Sequence, residues 1–188
     1  LWGEDLRRQL DASVAAVLVE PIQGEGGIRF WPEGWLQELQ KACQEKQVLL
    51  ILDEIQTGIG RTGHWFAKDA FGLQPDLMTL AKGLGGGMPI GAVLCSENVA
   101  QSMDYGDHGT TFGGNPLACS AALAVLEVIG RPNFLKEVQE KGAAFCQTIE
   151  QHQVAQIEEV RGLGLMIGIE LKKEALPVVK ELLNQGLV

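Results

Sequence analysis

Two short apolar runs separated by an amphipathic segment constrain the fold more than any other feature of this chain. The runs lie at residues 15–19 and 48–52 and are bounded by polar residues or proline. Runs of this length predict strands buried on both faces, as in parallel sheets. Between them, residues 33–47 carry apolar side chains at three- and four-residue spacing, which predicts a helix with one buried face. Together they predict a β-α-β crossover and therefore an α/β fold.

The remaining elements are predicted from the same kinds of pattern. Strands are expected at 76–80, 90–95 and 165–171, and helices at 116–129, 134–152 and 174–185. The segment 116–129 is apolar on nearly every side, so we expect a buried helix. A domain boundary is expected near 153–157. Residues 1–155 would then belong to a large domain, and residues 156–188 would begin a smaller α+β domain.

Composition excludes several classes of protein. With 188 residues, 46% of them apolar, and a mean hydropathy of +0.07, the chain has an ordinary globular balance and is not a disordered one. Fifteen basic residues against 24 acidic ones give a net charge of −9, and no basic cluster interrupts the excess. Nucleic acids and anionic membranes are therefore not expected as partners. No apolar stretch is long enough to span a bilayer.

The cysteines and the chain ends add two expectations. The four cysteines are scattered without a CxxC pair, which predicts small buried thiols in a reducing compartment, here the cytoplasm. The chain begins at Leu1 and stops within a pattern at Val188, so we expect a piece of a longer protein.

Two charged residues follow predicted strands, where ligands bind in parallel sheets. Asp53 comes directly after the run 48–52, so it should be partly buried and should have a cationic partner, with Arg61 as a local candidate. Lys82 precedes several glycines, and a partly desolvated lysine amine can attack a carbonyl group. Taken singly, these residues are better explained as a strand-end cap and a surface lysine. Taken together, an acid and a lysine are the pair that pyridoxal phosphate requires.

A third polar cluster precedes the predicted helix at 116–129. Thr110 and Thr111 place two hydroxyls among glycines, and hydroxyls with free backbone amides near a helix start suit a phosphate group. A plain turn that caps the helix explains the same residues. Lys82 lies 29 residues after Asp53, and Thr111 lies 29 residues after Lys82, so the three come from successive strand or loop ends.

Four motifs in this order resemble the class III (ornithine-type) aminotransferases. They are VEPIQGEG at 19–26, LDEIQTG at 52–58 with RTG at 61–63, AKGLGGGMPIGA at 81–92 and GTTFGGNPLA at 109–118. RGLGLM at 161–166 also matches the start of the small domain of that family. The resemblance covers about residues 15–130. It implies fold type I of the pyridoxal phosphate-dependent transferases, a mainly parallel sheet flanked by helices.

The resemblance assigns roles around the cofactor, which is pyridoxal 5'-phosphate. It implies that Lys82 forms the Schiff base and later moves a proton between the substrate Cα and the cofactor. Asp53 would keep the pyridine nitrogen protonated. Ile55 would pack on one face of the ring, and Gln56 would hydrogen-bond its phenolic oxygen. Glu54 belongs to the same motif and is counted among the cofactor-binding residues.

Other residues are assigned by the same resemblance to the substrate and to a partner subunit. Thr111 would reach the phosphate in the neighbouring subunit, which implies a homodimer with shared active sites, and Thr110 would lie near the substrate. Glu25 matches a switch glutamate that pairs with an arginine to admit ω-amino substrates. The implied reaction moves the ω-amino group of N2-acetylornithine, or of a similar ω-amine, to 2-oxoglutarate in arginine biosynthesis.

Several alternatives stay open. The alternative donors are ornithine, 4-aminobutyrate, succinylornithine and an acetyl-lysine-type amine, while the glycines at 85–87 followed by Met88 favour the acetylornithine branch. A catalytically inactive fragment that retains the fold and the dimer surface is the non-enzyme alternative. Family members extend beyond both ends of this chain, so the 188-residue piece alone is expected to bind the cofactor weakly and to have negligible turnover.

Other ligand classes lack the residues they need. No G-x-G-x-x-G follows a first strand with an acid about 20 residues on, which counts against a nicotinamide site. A P-loop would need Lys and Ser or Thr where His64 and Trp65 stand. The histidines are far apart and no HExxH occurs, so no metal is expected.

Overall fold

The first four strands form a four-stranded sheet, and the next two form a separate two-stranded hairpin. The computed structural model describes residues 6–187, without the side chain of Leu6. The strands are β1 (Ala16–Val19), β2 (Leu49–Asp53), β3 (Leu77–Leu80), β4 (Ala92–Cys95), β5 (Ile157–Leu163) and β6 (Met166–Leu171). The helices are α1 (Leu6–Gln9), α2 (Trp35–Lys46), α3 (Ala67–Phe71), α4 (Glu97–Ala100), α5 (Pro116–Ile129), α6 (Phe134–Gln151) and α7 (Leu176–Asn184), and Lys82–Gly85 forms a 3₁₀ turn.

The larger sheet has the order β1-β2-β3-β4 and is parallel except at one edge. β1, β2 and β3 run parallel because each connection passes through a helix, α2 or α3. β4 is antiparallel to β3. The connection at residues 81–91 holds only the 3₁₀ turn and a glycine-rich loop, which is too short for a helical crossover. The predicted α/β class with a mainly parallel sheet is confirmed, as are the β-α-β unit and the elements predicted after it.

The core lies between the sheet and α2. The helix turns its predicted apolar face toward the strands and buries Leu36, Leu39, Ala42 and Cys43. From the sheet, Leu50, Leu52, Met78 and Leu80 complete the same cluster. Full burial of a leucine stabilises the folded state by about 1.5–3 kcal/mol, so this layer holds the strand ends of the site in place.

The prediction that α5 is a buried helix is wrong for most of its surface. Of its side chains only Ala118, Ala122 and Ile129 are buried, while Leu117 is 67% and Leu123 is 60% exposed. One side of the helix packs on the 3₁₀ turn, and within the described residues nothing covers the other side. An all-round apolar pattern shows that a helix can be buried everywhere, but the partners that bury it must be present.

The prediction of four buried thiols is also only partly correct. Cys43 is buried, Cys119 and Cys146 are half-buried, and Cys95 is exposed, because it ends the edge strand β4. All four are free thiols. Burial raises the pKa of the Cys43 thiol above its usual value.

The strand β5 was not predicted, because its sequence does not show a clean alternation. Charged residues occupy Glu158, Glu159 and Arg161, and the pairing with β6 shifts register between Ile157 and Glu159. The boundary expected at 155–156 falls between α6 and β5, and the division into two domains stays a prediction. Within residues 6–187, no single helix has both the length and the apolar composition needed to cross a membrane.

Candidate active site

The parallel pairing of β2 with β3 brings the two main candidate residues to one edge of the sheet. Asp53, the last residue of β2, is the register partner of Thr79 on β3. The Thr79 hydroxyl donates a hydrogen bond to Oδ1 of Asp53 at 3.1 Å. Lys82 follows three residues after Thr79, at the start of the 3₁₀ turn. The structure therefore places these two residues at neighbouring strand ends.

Asp53 is half-buried, as its position after an apolar strand predicts. Its Oδ1 also accepts a hydrogen bond from the backbone N–H of Ile55 at 3.0 Å. A cationic partner is expected for Asp53, and pairing with Arg61 is the plainer alternative, yet no residue that the structure describes forms an ion pair with Asp53. Neutral donors alone hold this carboxylate in place, so it keeps the capacity to pair with a cationic group of a ligand.

A cavity of about 330 Å³ opens beside these strand ends. Its volume lies in the range of about 300–1,000 Å³ that is usual for small-molecule sites. The wall contains two cations, one amide and mostly apolar side chains, and Asp53 is not part of it. The lining residues with side chains are Ile28, Ile55, Gln56, Ile59, Arg61, Lys82, Leu165, Met166 and Ile167.

Backbone strain is concentrated around this cavity. Lys82 has φ of 43°, Ile28 has φ of 53° and Ile59 has φ of 55°, all in the left-handed region. For a β-branched residue such a conformation is a clear outlier. Each costs roughly 1–3 kcal/mol and persists only where the surroundings enforce it, which is typical of ligand sites.

Lys82 lies at the rim of the cavity with its side chain exposed. The partial desolvation that the sequence suggested for its amine is therefore not present in this chain by itself. The amine can reach a ligand in the cavity, and Ile55 and Gln56 stand on the same wall.

Glu25 approaches the site through Gln56. Nε2 of Gln56 lies 3.5 Å from Oε1 of Glu25, a long hydrogen bond. The backbone N–H of Gly24 donates a hydrogen bond to Oε2 of Glu20 at 2.7 Å, which fixes the start of this loop. A Cβ at Gly24 would lie 2.6 Å from the end of the Gln56 side chain, so the glycine allows the loop to approach Gln56 with the side chain in this position. The motifs at residues 19–26 and 52–58 are thus in contact in the structure.

Glu54 takes a different position from its neighbours. It is fully buried, and its carboxylate accepts hydrogen bonds from the Thr57 hydroxyl and from the backbone N–H groups of Ala67 (3.0 Å) and Lys68 (2.7 Å). Burial raises the pKa of the Glu54 carboxyl, against the lowering effect of these bonds. Glu54 ties the strand end to the start of α3. Its contact with a cofactor stays a prediction, which this placement does not favour.

Thr110 and Thr111 are not brought to the cavity that contains Lys82. They lie in the stretch 101–114, in which every residue is exposed, and the Thr110 hydroxyl accepts a bond from the N–H of Gly113 at 3.0 Å. Asn115 caps α5 by accepting from the N–H of Ala118. The predicted roles of the two threonines stay predictions, since they concern a second subunit or a substrate.

One residue of the site region was matched only as part of a motif and given no role. Arg161 on β5 is nearly buried, with a side chain 12% exposed, and it contacts the loop beside Glu25. The signal in the sequence is weak: Glu159 and Arg161 are two residues apart, which places them on one face of a strand. That signal appears only after β5 is recognised as a strand.

Comparison with known proteins relates this chain to one family. The family model described as aminotransferase class III matches residues 3–188. The acetylornithine aminotransferase of Methanocaldococcus jannaschii is 49% identical over 97% of this chain and 46% of its own length. The mitochondrial acetylornithine aminotransferase of Alnus glutinosa is 51% identical over 93% of this chain and 39% of its own length. The chain thus spans less than half the length of these curated relatives.

Solved structures of the same kind share the fold. The ornithine aminotransferase of Toxoplasma gondii ME49 superposes with a TM-score of 0.90 at 39% identity, over 97% of this chain and 45% of that one. The acetylornithine aminotransferase of Elizabethkingia anophelis superposes with a TM-score of 0.89 at 39% identity, over 97% of this chain and 48% of that one. Another structure of the Toxoplasma gondii enzyme, with a TM-score of 0.89 at 40% identity over 97% and 45%, has pyridoxal phosphate at partial occupancy in its active site.

Proposed function

Since the chain belongs to the class III aminotransferase family, we propose that the protein carrying it transfers an amino group from an ω-amine to 2-oxoglutarate with pyridoxal phosphate. One observation supports this function above the others. The register of β2 with β3 places Asp53, a carboxylate without a cationic partner among residues 6–187, next to the strand end that continues into Lys82. An acid and an amine at neighbouring strand ends suit the two ends of a pyridine ring.

The residues present fit the ring of the cofactor. Asp53 offers an acceptor for a protonated ring nitrogen, and among residues 6–187 no cation competes for it. Ile55 offers an apolar surface and Gln56 an amide donor on the cavity wall. When bound, pyridoxal phosphate supplies the electron sink of the reaction.

The chain itself supplies proton handling and positioning. Lys82 provides the amine that attaches the cofactor and that afterwards moves a proton at the substrate Cα. Asp53 holds the proton of the ring nitrogen, because an ionised carboxylate stabilises the cation beside it. Thr79 and the N–H of Ile55 orient this carboxylate, and the neutral bonds that they donate leave its charge available.

N2-acetylornithine is the proposed amino donor. The curated relatives named above, at 49% and 51% identity, are both acetylornithine aminotransferases, whereas the solved structures at 39–40% identity include acetylornithine and ornithine aminotransferases alike. The corresponding place in metabolism is arginine biosynthesis. A panel of ω-amines assayed with 2-oxoglutarate tests this choice, and a higher kcat/KM for ornithine or 4-aminobutyrate would overturn it.

We further propose that the enzyme is a homodimer in the cytoplasm, with neither nucleic acid nor membrane as partner. Exposed apolar side chains support the dimer: Phe112 is 79% and Leu117 67% exposed, beside the threonines assigned to a partner site. The free thiols support a reducing compartment. Sedimentation equilibrium of the full-length protein tests the dimer, and a monomer at micromolar concentration would refute it.

The decisive experiment locates the attachment of the cofactor. The full-length protein is reduced with borohydride, digested and mapped by mass spectrometry. We expect the pyridoxyl group on Lys82 and nowhere in Lys82→Ala, which should also lose turnover. Lys136→Ala is the matched control, because Lys136 lies on the surface of α6 with its side chain 70% exposed. A label on another lysine, or normal turnover in Lys82→Ala, would refute the assignment.

A further inference from the structure

The guanidinium of Arg161 binds the backbone of the loop at residues 24–28. Its Nη2 donates to the carbonyl oxygen of Gly27 at 2.7 Å. Its Nε donates to the carbonyl oxygens of Ile28 at 2.9 Å and of Gly27 at 3.1 Å. Hydrogen bonds from an ionised donor are stronger than neutral ones, so these contacts attach the loop to β5.

Two carboxylates hold the same guanidinium from its other side. Nη1 of Arg161 donates to Glu170 at 2.6 Å and to Glu159 at 2.7 Å. Glu170 also accepts from Arg29 at 3.2 Å. The hydrogen bond from Arg161, followed by that from Arg29, lowers the pKa of the Glu170 carboxyl. The arginine is therefore oriented by its own hairpin and presents its remaining donors to the loop.

A backbone contact reaches the same two loop residues independently. Gly168 on β6 is the cross-strand partner of Arg161. A Cβ at Gly168 would lie 3.0 Å from the Cβ of Ile28 and 3.1 Å from the carbonyl oxygen of Gly27. The hairpin thus approaches Gly27 and Ile28 both through a side chain and through bare backbone.

This attachment determines the shape of one wall of the cavity. Ile28 lines the cavity that contains Lys82, and its left-handed φ of 53° needs external support. The same loop carries Glu25, which contacts Gln56 on the cavity wall. If the loop moved, the apolar wall that Ile28 forms would be displaced from the cavity, and the Glu25 carboxylate would be displaced from Gln56.

We propose that Arg161 is a positioning residue for selection of the amino donor, an inference that rests on the proposed function. The Glu25 carboxylate attracts a cationic amine and repels a dicarboxylate such as 2-oxoglutarate. Holding Glu25 near the cavity therefore favours the donor and disfavours the acceptor. Arg161 does not touch the reacting atoms, and it acts through the position of this loop.

Arg161→Lys is the informative substitution, because it keeps the charge and changes the geometry. Lysine has one ammonium with three donors, which cannot match a planar fork that serves two carbonyls and two carboxylates. Arg29→Lys is the matched control. Arg29 shares Glu170 with Arg161, but its side chain is 51% exposed, and no described bond joins it to the carbonyls of Gly27 and Ile28.

The first measurement is hydrogen exchange of the full-length holoenzyme, which does not depend on activity. The backbone N–H groups of Gly27 and Ile28 both donate to the carbonyl oxygen of Gly24. In Arg161→Lys we expect at least tenfold faster exchange of these two amides, corresponding to the loss of about one such bond. Arg29→Lys should change the rate less than twofold. Unchanged exchange in Arg161→Lys would overturn the attachment.

The second measurement separates donor from acceptor. In Arg161→Lys we expect KM for the amino donor to rise about tenfold and KM for 2-oxoglutarate to stay the same or fall, with kcat changed less than twofold. An equal rise of both KM values, or faster exchange without any change in KM for the donor, would overturn the role in selection. Absence of transamination in the wild type would instead refute the proposed function, while hydrogen exchange still decides whether Arg161 holds the loop.

Discussion

Substitution of Gly142 by alanine sets helix propensity against a steric conflict. Gly142 lies inside α6, where alanine is preferred to glycine by roughly 1 kcal/mol. A Cβ there would lie 1.8 Å from the carbonyl oxygen of Gly164, in the turn between β5 and β6. Ordinary contact begins near 3.4 Å, so the hairpin turn must move by about 1.5 Å. The atom in conflict is backbone, which cannot rotate away.

The steric cost and the gain in helix propensity together decide whether Gly142→Ala raises or lowers the free energy of unfolding. Overpacking costs roughly 1–3 kcal/mol, and so short a separation belongs at the upper end of that range. After the gain in propensity, Gly142→Ala should lower the free energy of unfolding by about 2 kcal/mol. For 188 residues that corresponds to a fall in Tm of roughly 4–8 °C, and the fall should be smaller in the longer protein that carries this chain.

Urea and thermal unfolding of the full-length protein measure this effect. Ala143→Gly is the matched control, because Ala143 is the next residue of α6 and is exposed. It should lose about 1 kcal/mol through propensity alone. If Gly142→Ala were as stable as the wild type, the close contact between α6 and the hairpin turn would be wrong.

Four further predictions concern the site and its pH dependence. Asp53→Asn should leave Tm within about 2 °C and lower kcat at least a hundredfold; near-normal activity would refute its role. Thr111→Val should weaken cofactor affinity, measured by titration of the apoenzyme, about tenfold with little change in Tm; unchanged affinity would exclude the phosphate contact. Folding raises the pKa of Glu54, so the free energy of unfolding of the wild type should fall relative to that of Glu54→Gln as pH rises above about 4.3. Urea titrations at several pH values measure this difference, and a difference that does not change with pH would contradict the prediction. The pKa of Glu170 is lowered, so its contribution should be present above about pH 4.3 and lost as pH falls below it; Glu170→Gln, in the same titrations, should lack that acid-side loss.

Much of the site could be predicted from sequence because its parts are local. Asp53 follows an apolar strand and Lys82 precedes a glycine-rich turn, and both features are read from a few consecutive residues. The parallel order of β2 and β3 then brings the two to one edge, since each strand is entered through a helix.

Other features depend on partners distant in sequence, which no local pattern shows. Glu54 stands in the same motif as Asp53, Ile55 and Gln56, yet its side chain is buried. It accepts hydrogen bonds from backbone N–H groups of α3 that lie thirteen and fourteen residues further along the chain. The apolar pattern of α5 indicates what the helix tolerates and not what covers it, so Leu117 and Leu123 are exposed.

The linear sequence by itself determined the β-α-β unit, the family and the positions of Asp53 and Lys82 after strands, because periodicity and short motifs encode backbone conformation locally. Tertiary structure alone decided the direction of β4 and the contact of Arg161 with Gly27, across 134 residues of chain. Such contacts arise from close packing of distant segments, and the residues that make them carry no local pattern of their own.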